Sequence, residues 1–250
     1  MAVPIQSLWI GSELSKLEQL CIKSYLDNGH EFHLYVYEDV KGIPTGTTIK
    51  DANEILDKSE IFYYQNKSVA AFSNLFRYTL LYKKGGYWSD TDCICIKPLP
   101  FTGDFVFSSE PDETYTKSIT NCGLMKFKKE SAEAAECVAI QKMHKELILA
   151  GKIQWGSGVV TAQQIVAQFK LEKSVLPWQA CCTCLWSEFT TIIDSKAKGN
   201  AKAIRLLTDL PAEAVTIHCY NEMFRRNNID KNATYDPDSL FECLKRKHGI

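Results

Sequence analysis

The sequence predicts an α/β fold with a mostly parallel central sheet flanked by helices. The chain opens with an apolar run, Pro4 to Ile10, continues with a helical pattern, and returns to an alternating apolar run, Phe32 to Tyr37. This strand–helix–strand order is typical of parallel sheets, because the helix carries the chain back to the end where the next strand begins. Segments of strand and helix length then follow over the rest of the 250 residues, without a repeat or an obvious linker. We therefore expect one domain over residues 1–250.

The first strand ends at Gly11, and a helix is expected from there to about Leu26. Ser12 is its predicted N-cap, since the hydroxyl can accept a hydrogen bond from a free backbone N–H, and Asn28-Gly29 ends the helix. The apolar residues of this segment recur at helical spacing. After the second strand, a polar loop precedes short helices that are expected within Lys50 to Phe62.

The next predicted helix, Ser68 to Lys84, is apolar around most of its circumference, which indicates a buried element. Gly85-Gly86 lies past its end, as is common at helix C-termini. Arg77 lies within this helix, and a buried guanidinium needs a partner because an unpaired buried charge is strongly destabilising. The partner is either a carboxylate of the protein or an anionic ligand such as a phosphate, which matches the planar fork of arginine.

The remaining elements follow from the same periodicities. Strands are expected from Cys93 to Lys97, near Asp104 to Ser108 and from Ser118 to Phe127, and helices over Ser131 to Leu149, Thr161 to Phe169 and Pro237 to Lys247. The alternation of the two element types continues to favour the α/β class.

Two aspartates, Asp90 and Asp92, follow Gly85-Gly86 and the pair Tyr87-Trp88. They are expected at the end of one short strand and the start of another, where open α/β sheets bind their ligands. Two carboxylates at this spacing can hold one divalent ion, and oxygen ligands suit Mn²⁺ or Mg²⁺. Such an ion can bridge and neutralise the phosphates of a nucleotide diphosphate. Asp236-Pro237-Asp238 has the same spacing, but there it predicts only a helix start.

The composition argues against nucleic-acid binding and against a membrane span. Lys and Arg number 29 and Asp and Glu number 30, a net charge of -1, whereas a nucleic-acid surface needs a clear basic excess. The first residues lack the pattern of a signal peptide, and no apolar run approaches the roughly 20 residues of a membrane-spanning helix. We therefore expect a cytoplasmic protein, with at most peripheral association at the inner face of the membrane. The ten cysteines are expected to be buried thiols.

Short segments in the first half combine into a recognisable pattern: Ala70 to Tyr78, Leu80-Leu81-Tyr82, Gly85 to Trp88 and Asp90-Thr91-Asp92. Together they resemble the sugar-binding region of family thirty-two glycosyltransferases, which include bacterial capsule and lipopolysaccharide enzymes, and the glucosyltransferase domain of large clostridial toxins. The resemblance implies the GT-A nucleotide-sugar-binding fold, a divalent cation, and transfer with retention of the anomeric configuration. It also implies a donor-binding half over roughly residues 1–110 and acceptor-side and closing segments over roughly residues 111–250.

The resemblance extends to both ends of the chain. Leu8-Trp9-Ile10-Gly11 resembles the strand end where the family stacks a Trp on the donor base. Ile217 to Glu222 resembles the segment that closes over the donor, where His218 would help to hold diphosphate or metal. Asn74 stands where many relatives have an Asp that touches ribose or sugar hydroxyls, and an amide can also hydrogen-bond hydroxyls. The expected donor-binding set is Leu8, Trp9, Gly11, Asn74, Arg77, Asp90, Thr91 and His218, the expected metal ligands are Asp92, Asp90 and His218, and the expected catalytic residues are Asp92, Asp90 and Arg77.

These observations predict a metal-dependent, retaining glycosyltransferase. It would move a hexose or N-acetylhexosamine from a nucleotide-diphosphate sugar, with UDP the favoured nucleotide, to a hydroxyl of a glycan or lipid-linked glycan in surface polysaccharide synthesis. Glu110 and Asn121 are further candidates for sugar contacts. A protein acceptor and a metal-dependent nucleotide-sugar phosphohydrolase remain open as alternatives. The non-enzymatic alternative is a thiol-rich binding module, which would carry stoichiometric zinc.

Overall fold

The fold was obtained as a computed structural model that describes residues 3–250. It contains eight strands, which in chain order are β1 (Ile5–Trp9), β2 (Phe32–Val36), β3 (Thr48–Asp51), β4 (Gly86–Ser89), β5 (Cys93–Cys95), β6 (Val106–Pro111), β7 (Ser118–Phe127) and β8 (Thr216–His218). Its α-helices are α1 (Lys16–Asp27), α2 (Ala70–Lys84), α3 (Ala132–Leu149), α4 (Ser157–Gln168), α5 (Trp178–Cys181), α6 (Thr190–Ile193), α7 (Asn221–Arg226) and α8 (Leu240–His248).

Six of the strands form the central sheet, in the order β3-β2-β1-β4-β7-β6. The pairs β1–β2, β1–β4 and β2–β3 are parallel. β7 runs antiparallel to both β4 and β6. The mostly parallel sheet expected from the sequence is therefore confirmed, with an antiparallel hairpin at one edge.

Helices cover both faces of this sheet. On one face, α2, α3 and α4 pack in an apolar cluster that includes Phe76, Trp88 and Phe127. On the other face, α1 packs through Ile22 and Tyr25 against the strands. Most residues of α2 are buried, as the apolar character of its whole circumference predicted. The flanking helices of the predicted α/β class are thus confirmed.

Four helix starts differ from the sequence prediction. α2 begins at Ala70 rather than Ser68, and α4 begins at Ser157 rather than Thr161. α1 is capped by Ser15 rather than Ser12, because the carboxylate of Glu18 accepts the backbone N–H of Ser15 at 2.8 Å in a capping box. Ser12 instead lies in the preceding loop, where its carbonyl accepts the N–H of Lys41. α8 begins after Ser239, whose hydroxyl accepts the N–H of Glu242.

The prediction of short helices within Lys50 to Phe62 is wrong in part. The segment begins in strand β3, which lies at the edge of the sheet and pairs in parallel with β2. Only two 3₁₀ turns follow, Ala52–Glu54 and Lys58–Glu60, each capped by an aspartate side chain that precedes it. A short edge strand buries too little of itself to leave a clear alternation in the sequence.

The strand expected from Cys93 to Lys97 is shorter and lies outside the central sheet. β5 pairs antiparallel with β8 in a separate two-stranded sheet, where Cys93 is opposite His218. A third apolar cluster, which includes Ile94, Ile217 and Phe241, packs around this small sheet and α8. Within residues 3–250, none of the helices has both the length and the apolar character needed to cross a bilayer.

Candidate functional site

Asp90, Thr91 and Asp92 form the turn between β4 and β5, as the sequence predicted. The N–H of Asp90 donates to the carbonyl of Gly123 in β7 at 2.7 Å, and the N–H of Cys93 donates to the carbonyl of Asp90 at 3.1 Å. The carbonyl of Asp92 accepts the N–H of Cys219 at 2.8 Å. The turn is therefore fixed by backbone bonds to the central sheet on one side and to the strand β8 segment on the other.

Asp92 is buried and bound from the far end of the sequence. Its Oδ2 accepts the backbone N–H of Asn221, the first residue of α7, at 2.6 Å, and lies 3.5 Å from Nε2 of His218. Burial opposes ionisation, but the charge of His218 and these hydrogen bonds hold the pKa of Asp92 below its usual value.

The pKa of His218 shifts in the opposite direction. Burial alone would lower its pKa, but the carboxylate of Asp92 raises the pKa of His218 well above its ordinary value. Its ring packs against Tyr220 with a centroid separation of 4.4 Å. A cation that binds both Asp92 and His218 requires the neutral imidazole, so it competes with the proton.

Asp90 faces a different partner, the buried guanidinium of Arg77. Nη2 of Arg77 lies 2.9 Å from Asp90 Oδ1, and the indole N–H of Trp88 donates to the same oxygen at 2.8 Å. Nη1 of Arg77 donates to the carbonyl of Cys122 at 2.7 Å. Burial raises the pKa of Asp90, although the charge of Arg77 opposes this. Of the two partners considered for Arg77, the structure contains the protein carboxylate.

Asn74 lies one helical turn before Arg77 and points toward the start of α4. Its Nδ2 donates to Ser157 Oγ at 3.0 Å and to the Tyr64 hydroxyl at 3.3 Å. A Cβ on Gly158 would overlap the Oδ1 of Asn74, so α2 and α4 are in close contact there. The amide of Asn74 is thus bonded to two hydroxyls of the protein.

Trp9 and Gly11 lie at the same edge of the sheet as the aspartates, because β1 and β4 are parallel neighbours that both end there. The Trp9 ring is half-buried, with the Lys231 ammonium 5.6 Å from its centroid. Its indole nitrogen is buried and has no hydrogen-bond partner among residues 3–250. Leu8 packs its side chain in the core beneath α2, and Thr91 is half-buried in the turn.

The structure therefore brings Arg77, Asp90, Thr91, Asp92 and His218 into one cluster, with Trp9 and Gly11 on the same sheet edge. Leu8 contributes no exposed side chain to it, and the amide of Asn74 is turned toward α4.

Asn121 and Glu110, the two further candidates for sugar contacts, differ in whether their side chains are free to bind a ligand. Asn121 is buried inside β7 and bonded to Ser108 and to the N–H of Gly123. Glu110 is half-buried in β6, and no hydrogen bond or ion pair of its side chain is found among residues 3–250. Burial raises the pKa of Glu110, against the opposing charge of His218.

Three ligand atoms at this site lie close enough together to hold one metal ion. A carboxylate oxygen of Asp92, the thiol of Cys93 and a ring nitrogen of His218 lie within 4.8 Å of one another, the one such group found in the described residues. Asp90 is outside this group because its carboxylate is turned to Arg77 and Trp88.

Sequence reasoning missed Cys93 as a metal-ligand candidate and the N–H of Asn221 as an anchor for Asp92. Cys93 directly follows Asp92 in the sequence, but the alternating pattern of the residues around it predicted only that it lies in a strand. Every residue except proline supplies a backbone N–H, so the sequence contains no signal for the role of Asn221.

Residues 15–115 match the model of a family described as "Glycosyltransferase sugar-binding region containing DXD motif". This range contains α2 and the Asp90-Thr91-Asp92 turn. A search of curated proteins finds no match.

Comparison with solved structures finds the glycosyltransferase GlyE of Streptococcus pneumoniae TIGR4, at 12% identity and a TM-score of 0.52, covering 100% of this chain and 61% of that chain. Its apo form matches at 14% identity with the same TM-score and coverage. PaToxG glycosyltransferase matches at 16% identity and a TM-score of 0.49, over 67% of this chain and 70% of that chain. The galactosyltransferase LgtC, in complex with donor and acceptor sugar analogs, matches at 10% identity and a TM-score of 0.42, over 98% and 99%.

This chain thus spans about three fifths of the GlyE chain. The fold expected from the sequence is confirmed, since it matches that of the glycosyltransferase GlyE. Residues 15–115 in addition match the model of a DXD-containing sugar-binding region.

Proposed function

We propose that residues 1–250 act as one glycosyltransferase domain that moves a hexose or N-acetylhexosamine from a UDP-linked sugar to a hydroxyl of a glycan acceptor, with retention of configuration. The reaction would depend on Mn²⁺ or Mg²⁺ and serve surface polysaccharide synthesis in the cytoplasm or at the inner face of the membrane. The observation that carries the proposal is the buried Asp92, held by His218 and by the N–H of Asn221 at the ligand-binding edge of a parallel sheet.

The donor set supports a diphosphate at this edge. A divalent cation would supply the positive charge that a leaving diphosphate needs. Asp92 and His218 are the residues that would hold it, with Asp90 in contact directly or through water. The chelating atoms are fixed before any ligand arrives, because each is already bonded to a backbone or side-chain partner. Such preorganised groups stabilise developing charge without reorganisation.

Arg77 supports the same site as a positioning residue. Its terminal nitrogens engage Asp90 and the carbonyl of Cys122, and its guanidinium carbon lies 5.0 Å from the Trp88 ring centroid. Because the guanidinium of Arg77 is held in place by these contacts, it fixes the carboxylate of Asp90. It also adds positive electrostatic potential beside the expected phosphates.

Trp9 and Gly11 are proposed to take the base of the donor. The half-buried Trp9 is the last residue of β1, and Gly11, two residues further on, has a φ of +144°, a conformation that residues with a side chain rarely adopt. A Cβ at Gly11 would lie 3.3 Å from the Trp9 indole nitrogen. Glycine at this position therefore avoids a close contact with the indole of Trp9.

The acceptor would approach from the side of β6 and β7. Glu110 lies two residues after Ser108 in β6, and Ser108 lines a small pocket together with Cys93 and His218. The charge of His218 opposes the effect of burial on the pKa of Glu110, so the two side chains lie near each other. A half-buried carboxylate without a protein partner suits a sugar hydroxyl, so Glu110 is proposed to bind an acceptor or donor hydroxyl.

A screen of nucleotide sugars with candidate sugar acceptors tests the function. We expect nucleotide release from a UDP-sugar with Mn²⁺ and an acceptor, loss of turnover with chelator, and recovery when Mn²⁺ is restored. Asp92→Asn keeps an acceptor for the Asn221 N–H but removes the charge, so its turnover should fall by about 10²–10³-fold.

Asp238→Asn is the matched control, since it alters the other Asp-x-Asp in an exposed turn. It should retain the wild-type rate. Full turnover by Asp92→Asn, or by metal-free protein, would refute the proposal. Nucleotide release that does not require an acceptor would indicate the phosphohydrolase alternative.

A further inference from the structure

We propose that Asp92, Cys93 and His218 form a binding site for a thiolate-preferring divalent cation of the zinc class, which competes with the cation of the transfer reaction. The binding site rests on the geometry of these three residues alone. The competition rests also on the proposed function, since it requires Asp92 and His218 to serve both cations.

The three side chains are already close. Asp92 Oδ2 lies 3.5 Å from Nε2 of His218, and Asp92 Oδ1 lies 4.0 Å from the Cys93 sulfur. All three ligand atoms fall within 4.8 Å of one another. Zinc–ligand bonds of about 2.0–2.3 Å place tetrahedral ligands roughly 3.3–3.8 Å apart. Small side-chain rotations therefore complete a three-ligand site.

The space between these ligands is kept open by a glycine. A Cβ at Gly123 would lie 3.1 Å from the Cys93 sulfur and 3.7 Å from Nδ1 of His218. Nδ1 is buried and has no hydrogen-bond partner among the described residues. The same small gap is lined by Cys93, Gly123, His218 and a second thiol, Cys182, among others.

The ligand types select the cation. Thiolate and imidazole are preferred by zinc and related borderline-soft cations, whereas Mn²⁺ and Mg²⁺ prefer oxygen. On binding, the Cys93 S–H bond breaks, the sulfur forms a bond to the cation and the proton passes to solvent, as does the imidazolium proton of His218. No oxidant or reductant is needed.

The backbone makes this arrangement specific to Cys93. Cys95 is two residues on in the same strand, buried, with its thiol at 3.2 Å from the carbonyl of Lys97, and it is outside the three-ligand group. The two cysteines thus share strand, residue type and burial and differ in their distance from Asp92 and His218. Cys95 is therefore a matched control.

Cobalt is the probe, because Co²⁺ replaces zinc and its bond to a thiolate gives a charge-transfer absorbance in the near ultraviolet. We expect this band when Co²⁺ is added to the wild-type protein and to Cys95→Ala, and its loss in Cys93→Ala. Zinc should displace the cobalt and remove the band. Circular dichroism and thermal unfolding report whether each variant is folded.

Zinc inhibition is the second measurement, with each protein normalised to its own rate in Mn²⁺. The zinc concentration for half-inhibition should rise at least about tenfold in Cys93→Ala, since even partners of metal ligands change affinity by about 10–100-fold, and it should not change in Cys95→Ala. A wild-type cobalt spectrum without the band, or an unchanged band in folded Cys93→Ala, overturns the inference.

Failure here is distinguishable from failure of the proposed function. A missing cobalt–thiolate band leaves Mn²⁺-dependent transfer untouched. A protein without transferase activity can still show the band and its dependence on Cys93. In that case the binding site is supported and its competition with the cation of the transfer reaction is refuted.

Discussion

Arg77 holds together three parts of the molecule through one side chain. Its guanidinium lies over the Trp88 ring, pairs with Asp90 and donates to the carbonyl of Cys122 in β7. The side chain is nearly inaccessible to solvent, so its charge is compensated only by these partners. A buried ion pair adds little net stability relative to apolar residues, but breaking it leaves an uncompensated charge.

Arg77→Ala should lower the free energy of unfolding by about 3–5 kcal/mol, because Asp90 loses its compensating charge. Urea unfolding followed by circular dichroism measures the change. Arg226→Ala is the control: that arginine pairs with Glu222 at the surface, so its removal should cost no more than about 1 kcal/mol. Equal effects of the two substitutions would contradict the structural role of Arg77.

At the level of single residues, the sequence predicted the acidic pair and the need of Arg77 for a partner. Charge and spacing depend on residue type, and residue type is what a sequence records. The partner itself had two candidates, because the distance between Arg77 and Asp90 depends on how α2 ends against β4. The anchoring of Asp92 by the Asn221 N–H was not predictable, since any residue supplies that donor.

Among the helices, α2 and α4 meet where a glycine faces an amide. Gly158 is the second residue of α4, and its carbonyl accepts the Tyr78 hydroxyl at 2.8 Å. Asn74 fills the space where a Cβ of residue 158 would lie. The contact sets the depth at which the start of α4 packs against α2.

Gly158→Ala should destabilise the protein by about 1–3 kcal/mol through overpacking, although alanine alone favours a helix by about 1 kcal/mol. Combining it with Asn74→Ala removes the overlapping amide, so the double variant should be more stable than the sum of the single effects, by about 0.5–3 kcal/mol. Thermal and urea unfolding of the four proteins measure this coupling. Simple additivity would show that the two side chains do not compete for the same space.

The hairpin of β6 and β7 is closed by Asp112. Its Oδ1 accepts the N–H groups of Lys117 and Thr116 at 2.9 and 2.7 Å, and its Oδ2 accepts the Thr114 hydroxyl at 2.7 Å. The N–H of Lys117 and the hydroxyl of Thr114 are the main causes that lower the pKa of Asp112 to about 2.

A lowered pKa stabilises the folded state above the unfolded pKa, and this contribution is lost as the pH falls through the folded pKa. The wild type should therefore melt at a higher temperature than Asp112→Asn at pH 6, and this difference should shrink as the pH falls from about 4 to about 2. Calorimetric melting temperatures of both proteins across this range check the sign. A difference that grows toward low pH would refute it.

The elements with strong periodicity were predictable and the short ones were not. β7 and the bulk of α2 and α3 were correctly placed, because each repeats its burial pattern over many residues. β3 has four residues and β5 has three, too few to define a period. The pairing of β5 with β8 depends on a contact between distant parts of the chain, which local pattern does not encode.

Across the whole molecule, all ten cysteines are free thiols, nine of them buried and Cys243 half-buried. Burial raises the pKa of several of these thiols, for example of Cys184 to about 12 and of Cys122 to about 11. A buried thiol is both inaccessible and poor in the reactive thiolate form. The expectation from the sequence that the cysteines are buried thiols is therefore confirmed for nine of the ten.

Cys243 should be the first thiol labelled by a brief iodoacetamide pulse under native conditions, with the other nine reacting only on unfolding. Peptide mass spectrometry identifies the modified positions. The same pulse applied to protein unfolded in concentrated denaturant serves as the control for complete labelling. Rapid native labelling of several other cysteines would show that the clusters around β5 and β8 open on the timescale of the pulse.

The pairing of β5 with β8 has a consequence for biosynthesis. Asn221 reaches Asp92 across a separation of 129 positions, so a nascent chain that ends before residue 218 contains both aspartates but neither the imidazole of His218 nor the N–H of Asn221. The arrangement around Asp92 is complete only when residues 218–221 have left the ribosome and docked. Synthesis of this late segment therefore sets the moment at which the proposed cation site can form.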